Sequence, residues 1–187
     1  MILCNQGSLP DEVEYILKRL SVPPRLYAHS LVVHDVAHTL IKAITDTWDN
    51  LNIDENLILF GAATHDIGKC IHINELSEKG HKHEQEGKHL LISLGVSEEK
   101  AKFAASHAVW SEKSTIEELV VSLADKVWKG SRIQDLEDLL IEKIATETKM
   151  EHWGIFSLLD SIIEDITRDA DERLSFQNDF PTICRST

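Results

Sequence analysis

The chain has 187 residues, enough for one well-buried core, and its 42% hydrophobic and 27% charged residues are those of a globular protein rather than a disordered or fibrous one. Its 32 acidic against 19 basic residues leave a formal net charge of -13, which repels a polyanion and argues against a nucleic-acid polymer as partner. A small phosphorylated substrate stays open, because bound divalent cations can reverse the sign of the charge inside a site.

The cysteines, Cys4, Cys70 and Cys184, are odd in number and form no CxxC pair. Neither a disulfide framework nor a zinc ribbon is expected, and a reducing, cytoplasmic setting fits. Residues 1–8 have no basic n-region, and the longest apolar stretch, 57–63, is far too short for a membrane span, so no membrane partner is expected.

Periodicity is helical nearly throughout, without two-residue alternation, and predicts an all-α, single-domain bundle of about seven to eight helices. Ser8 and Asp11 form a capping-box pattern ahead of Val13, Ile16, Leu17 and Leu20 on one helical face. Pro23 and Pro24 break that helix and open a long one reaching about Trp48. Asp54 caps a third, through Ile58, Phe60 and Ala62 to Asp66; it is apolar almost all round and should be central.

Gly68 ends the third helix, and residues 70–82 read as a loop before a helix over about 83–94, stopped by Gly95. Ser97 caps a helix to about His107, and Ser114 with Glu117 forms a second capping box for a helix from Ile116 to Trp128. Two more helices are expected at about 135–149 and 151–176, with a loose tail over 177–187. The division is an N-terminal helix (1–22) packing on a core (23–130), C-terminal helices (131–176) completing the same domain, and the tail.

Helical geometry sorts the histidines. At about 100° per residue, His29 lies within roughly 40° of Val33, Val36 and Leu40, whereas His34 and His38 sit about 140° and 180° away. His29 is therefore expected to face the core and the other two to face solvent. His34 and His38 have the i, i+4 spacing of zinc ligands but no third ligand nearby. His65 and Asp66 end the most apolar helix, where burying an ionised carboxylate is costly without a compensating partner such as a cation. A hydrogen-bonded His-Asp couple is the alternative. Asp125 lies among Leu123, Ala124, Val127 and Trp128; the wheel puts it opposite Ile116, Val120 and Val127, facing either a second packed surface or solvent.

Taken together, His29, the motif HDIGK at 65–69 and the motif LADK at 123–126 resemble the HD-domain phosphohydrolase superfamily, its HDIG-type members included, over residues 24–129. The segments GHKHEQEGKHLL and ASHAVW are similar to those of members with two additional histidine ligands, here His83 and His107, with His81 and His89 as rivals of His83. The resemblance implies an HD-domain-like orthogonal helical bundle with a catalytic core over 23–130. It also implies a ligand set of His29, His65, Asp66, His83, His107 and Asp125. Asp66 would bridge two ions where two are present, with His29, His65 and Asp125 serving one and His83 with His107 the other. Imidazoles with carboxylates suit Mn, Fe, Co, Ni or Zn, one ion or two, with Mg less at home among so many nitrogens.

A bound cation can lower the pKa of water from about 15.7 to about 7, which is what hydrolysis of a phosphate ester or anhydride at neutral pH needs. Besides Asp66, the expected catalytic group is Lys69, four residues after His65, offering a cation to a phosphoryl oxygen; pairing with helix-end carbonyls is the alternative. Gly68 would permit close backbone approach. Arg25, Lys69 and Lys82 are the candidate substrate contacts, followed by Lys126, and Glu84 either assists proton transfer or complements a helix dipole. The expected function is a metal-dependent phosphohydrolase of a nucleotide or other small metabolite. A di-iron oxygenase built on the same ligands and a non-catalytic nucleotide-binding module are the alternatives, and a homo-oligomer stays open.

Overall fold

Residues 8–182 are described by the structure, a computed structural model. Cys4 and Cys184, with the rest of residues 1–7 and of the tail from 183, lie outside the described residues. The described chain is all-helical: α1 (Asp11–Arg19), α2 (Pro24–Thr47), α3 (Glu55–Thr64), α4 (Lys82–Ser93), α5 (Glu98–Ser106), α6 (Ile116–Val127), α7 (Gln134–Thr148), α8 (His152–Thr167) and α9 (Ala170–Asn178). Two 3-10 turns, Ile67–Cys70 and Ile73–Leu76, occupy the stretch expected as a loop.

The helix starts follow local chemistry, with two corrections. Pro24 opens α2 at a position where its missing N–H costs nothing, and the Asp54 carboxylate accepts the Leu57 N–H at 2.9 Å to open α3. α1 has Pro10 at its N-cap and no side-chain cap, so Ser8 stands too far upstream for the expected capping box. Its acidic first turn, Asp11, Glu12 and Glu14, meets the helix dipole instead. At α6 the capping box is Thr115 with Glu118, one residue beyond the expected Ser114 and Glu117, because the helix begins at Ile116 and the cap is the residue just before it. Gly95 takes φ +91 after α4, the left-handed conformation that ends a helix without strain.

The helix expected over 151–176 is two helices. Arg173 turns inward and donates to the carbonyl of Ile166, in the last turn of α8, and to the carbonyl of Trp128 at 3.1 Å, satisfying groups at helix ends that lack intrahelical partners. The break folds α9 back against α2. The tail is correspondingly not loose up to its last described residues: Arg25 donates to the Phe180 carbonyl at 2.9 Å and to Asn178, and its own N–H reaches the Pro181 carbonyl.

Two apolar clusters flank α3. One joins α2, α3, α6, α7 and α8 through residues such as Val33, Leu40, Ile58, Leu123, Leu140 and Ile155. The other joins α1, α3, α4 and α5 through Val13, Leu17, Phe60, Leu91 and Ala104. Supplying both is why α3 is apolar all round, and it leaves the C-terminal end of α3 where the two halves meet. No helix among the described residues is long and apolar enough to cross a membrane.

Candidate metal centre

Around the end of α3 converge His29 from α2, His83 from the first turn of α4, His107 at the end of α5 and Asp125 from α6, beside His65 and Asp66. All six are buried. The α-helix stops at Thr64, and Asp66 (φ -97, ψ 9) leads into the 3-10 turn that carries Gly68. A Cβ on Gly68 would stand 2.1 Å from the His83 carbonyl oxygen and 2.8 Å from the Gly87 nitrogen. Glycine therefore lets the turn seat directly on α4 and brings His83 to Asp66. The close approach expected of Gly68 is made to α4.

Asp66 faces two ways. Its Oδ2 lies 3.2 Å from His29 Nε2 and 3.7 Å from His65 Nε2, while its Oδ1 lies 3.1 Å from His83 Nε2 and 3.5 Å from His107 Nε2. Asp125 Oδ1 is 3.4 Å from His65 Nε2 and 3.7 Å from His29 Nε2. Of the two orientations the helical wheel left open, Asp125 takes the packed one: α6 lies against α2 and α3 as well as α7. Among the described residues two clusters have the compactness of metal sites, His29-His65-Asp66 and Asp66-His83-His107, with Asp66 common to both.

Each imidazole has its outer nitrogen engaged. His65 Nδ1 is 2.8 Å from the Ala62 carbonyl and His29 Nδ1 is 2.9 Å from Gln177 Oε1. His83 Nδ1 is 2.6 Å from Glu75 Oε2, and His107 Nδ1 is 3.1 Å from the Ala104 carbonyl. Since these partners are acceptors, the neutral rings carry their proton on Nδ1 and turn the Nε2 lone pair inward. Lone pairs and carboxylate oxygens then crowd one space, His29 Nε2 and His65 Nε2 only 3.2 Å apart. His83 Nε2 is buried and makes no hydrogen bond, although Asp66 Oδ1 lies only 3.1 Å away. Such a ring of acceptors repels itself unless a cation sits within it, so the donor set fits divalent metal, and outer partners on every histidine are usual for metal ligands.

Electrostatics agree for the carboxylates. Burial alone would raise Asp66, but its neighbours His65 and Lys69, with His29 and His83 close by, outweigh it and hold the carboxyl well below its usual range. For Asp125 burial is again overcome, by the neighbouring His65 and by Lys126, and its carboxyl too is held well below the usual range. Burial first, and then His65, pushes His107 down to about 3, keeping it neutral as a ligand must be. His83 loses by burial and gains more from Asp66 and Glu75, so it rises. Lys69 Nζ stands 2.5 Å from Asp66 Oδ2 and Lys126 Nζ 2.6 Å from Asp125 Oδ2.

The cluster floors an open cleft of about 410 Å³ whose walls include Arg25, Lys69, Lys79, Lys126, Lys129 and Trp128. Lys82 is exposed and does not line it, whereas Lys79 and Lys129, not singled out in the sequence, do. Arg25 lines the cleft with three of its donor positions engaged by the C-terminal segment. Glu84 also lines it and accepts from exposed His81 at 2.8 Å. Among the rivals in α4 and before it, His81 and His89 are exposed and His83 is buried. His38 is exposed as expected, but His34 is buried, on a helix against which α3, α6, α8 and α9 all pack. Glu75 and Gln177 went unnoticed in the sequence: neither belongs to a motif, and only folding brings them to imidazoles distant along the chain.

The family model described as HD domain matches residues 26–128, more than half of the chain. The chain belongs to the HD domain family. No curated protein and no solved structure matches it. HD domains are mostly metal-dependent hydrolases, and all six converging residues lie inside the matched segment, which runs from α2 through α6. The HD domain match stops at Trp128, so Gln177, the outer partner of His29, comes from outside it.

Proposed function

We propose that the chain is a metal-dependent phosphohydrolase, cleaving a phosphate ester or anhydride of a nucleotide or other small metabolite by attack of water. The observation that carries this reading is the position of Asp66, whose two oxygens each face a separate pair of imidazoles while Lys69 reaches the same carboxylate from the cleft side. A divalent ion bound here supplies positive charge to the attacking water and to the phosphoryl oxygens.

The protein's own groups do the rest. Asp66 and Asp125, held ionised, supply the negative charge that retains cations in a buried site. The Nδ1 partners orient the imidazoles before any substrate arrives, so no reorganisation is needed during the reaction. Lys69 and Lys126 are within reach of the cluster, and Lys79, Lys129 and Arg25 ring the opening. On a chain of net charge -13, a cleft whose five basic side chains balance its five carboxylates becomes positive once a divalent ion is bound, which supports an anionic substrate.

The experiment is phosphate release from a panel of nucleotides and simple phosphate esters, using protein loaded with Mn, Co, Ni or Mg. Turnover of at least one substrate is expected. No turnover of any after full loading contradicts the reading, and oxygen consumption by iron-loaded protein would point to the oxygenase.

A further inference from the structure

Gln177 stands at the end of α9, beyond the segment that matches the HD domain, yet it lines the cleft and touches the metal centre. Its Oε1 lies 2.9 Å from His29 Nδ1. The chain that follows is clamped to the start of α2: Arg25 Nε donates to the Phe180 carbonyl at 2.9 Å, Nη1 to Asn178 Oδ1 at 3.2 Å and Nη2 to the Asn178 carbonyl at 3.2 Å. The Arg25 N–H donates to the Pro181 carbonyl at 3.0 Å. Arg25 and His29 are one helical turn apart on α2, so the clamp and the Gln177 contact fall on the same face.

The other imidazoles of the cluster take their outer partners from the matched segment itself: Ala62 for His65, Glu75 for His83, and Phe103 and Ala104 for His107. His29 is the exception. With no acceptor at Nδ1, its ring can rotate or carry its proton on Nε2, and in either case the lone pair no longer points at Asp66 and Asp125.

We propose that Gln177 is a positioning residue for metal binding: its side-chain oxygen accepts the Nδ1 proton of His29 and so holds the Nε2 lone pair on the ion shared with His65 and Asp125. The C-terminal segment is in this way part of the metal centre, and the Arg25 clamp sets where Gln177 stands. This rests on the reading that the cluster binds divalent metal.

The test uses the metal-free full chain titrated with Co²⁺, followed by its visible absorption and by equilibrium dialysis, for wild type, Gln177→Leu and Gln177→Glu. Leucine removes the acceptor with little change of bulk, while glutamate keeps an acceptor and cannot donate. Wild type is expected to bind Co²⁺. Gln177→Leu should weaken one binding step by about 10- to 100-fold, as outer-partner losses do. Gln177→Glu should restore it to within about threefold, where a donating amide would leave it as weak as leucine. The melting temperature of metal-free Gln177→Leu should fall by no more than about 4 °C, the effect of one lost hydrogen bond in a chain of this size. Wild type that binds Co²⁺ while Gln177→Leu binds it equally well, or Gln177→Glu binding as weakly as Gln177→Leu, overturns the inference and leaves the metal reading standing. Wild type that binds no Co²⁺ overturns both.

Discussion

The Nε2 atoms of His29 and His65 stand 3.2 Å apart, and in the neutral rings neither carries a proton to offer the other, because both keep it on Nδ1 for Gln177 and for the Ala62 carbonyl. With Asp66 and Asp125 beside them, the contact makes chemical sense around a cation. That juxtaposition, more than the motif that brings it about, is the reason to read this end of α3 as a metal centre.

Asp66→Asn should abolish binding at both ions, since each of its oxygens serves a separate pair of imidazoles. His38→Ala, at an exposed position on the same long helix as His29, should keep both metal content and activity. Equal losses in the two variants would contradict the assignment; metal analysis after dialysis reads the difference.

Lys69→Met should retain metal and lower kcat/KM by about 10²- to 10³-fold, the usual consequence of losing one charge that faces a developing oxyanion. The 2.5 Å contact with Asp66 Oδ2 places the ammonium group at the cluster without making it a ligand. A loss of metal in parallel with activity would show that Lys69 serves only to hold Asp66.

His34 predicts an acid-sensitive stability. Burial first, and His38 second, lowers its folded-state pKa from 6.5 to about 4, and its Nε2 has no hydrogen-bond partner. The unfolded chain therefore takes up a proton that the folded chain refuses, so the contribution is whole above pH 6.5 and is lost as pH falls from 6.5 toward 4. Between pH 7.5 and 5.5 wild type should lose about 1 kcal/mol more than His34→Leu in urea unfolding of the metal-free protein. Identical pH slopes would contradict this.

Away from the centre, Arg132 binds buried Glu137 through two bonds, at 2.8 and 2.6 Å, and reaches Asp160 on α8 at 2.7 Å. Arg132→Met leaves that carboxylate only the Ile133 N–H, at 3.2 Å, and should cost about 2 kcal/mol, lowering the melting temperature by about 6 °C. The double variant Arg132→Met/Glu137→Leu should recover most of the loss. Metal content should be unaffected in both.

The helical class, the central place of α3 and the inward direction of His29 were legible because apolar periodicity reports directly which faces are buried. The capping boxes were harder: adjacent Ser114 and Thr115 have equivalent chemistry, and only the true helix start chooses between them. His34 was misplaced because a helical wheel assumes one buried face, whereas α2 packs against four helices, α3, α6, α8 and α9. The break between α8 and α9 was illegible because the helix-end carbonyl is met by Arg173, whose inward turn has no sequence mark. Glu75 and Gln177 were invisible for the same reason: an outer partner of an imidazole needs only an oxygen in the right place, and any of several residue types supplies one.

The most direct test is the metal content of the full chain after loading with Mn²⁺ or Co²⁺ and exhaustive removal of free ion, measured beside Asp66→Asn. Two ions per wild-type chain and none in the variant are expected, since Asp66 is common to both clusters. A wild-type chain that retains no divalent metal would contradict the central claim.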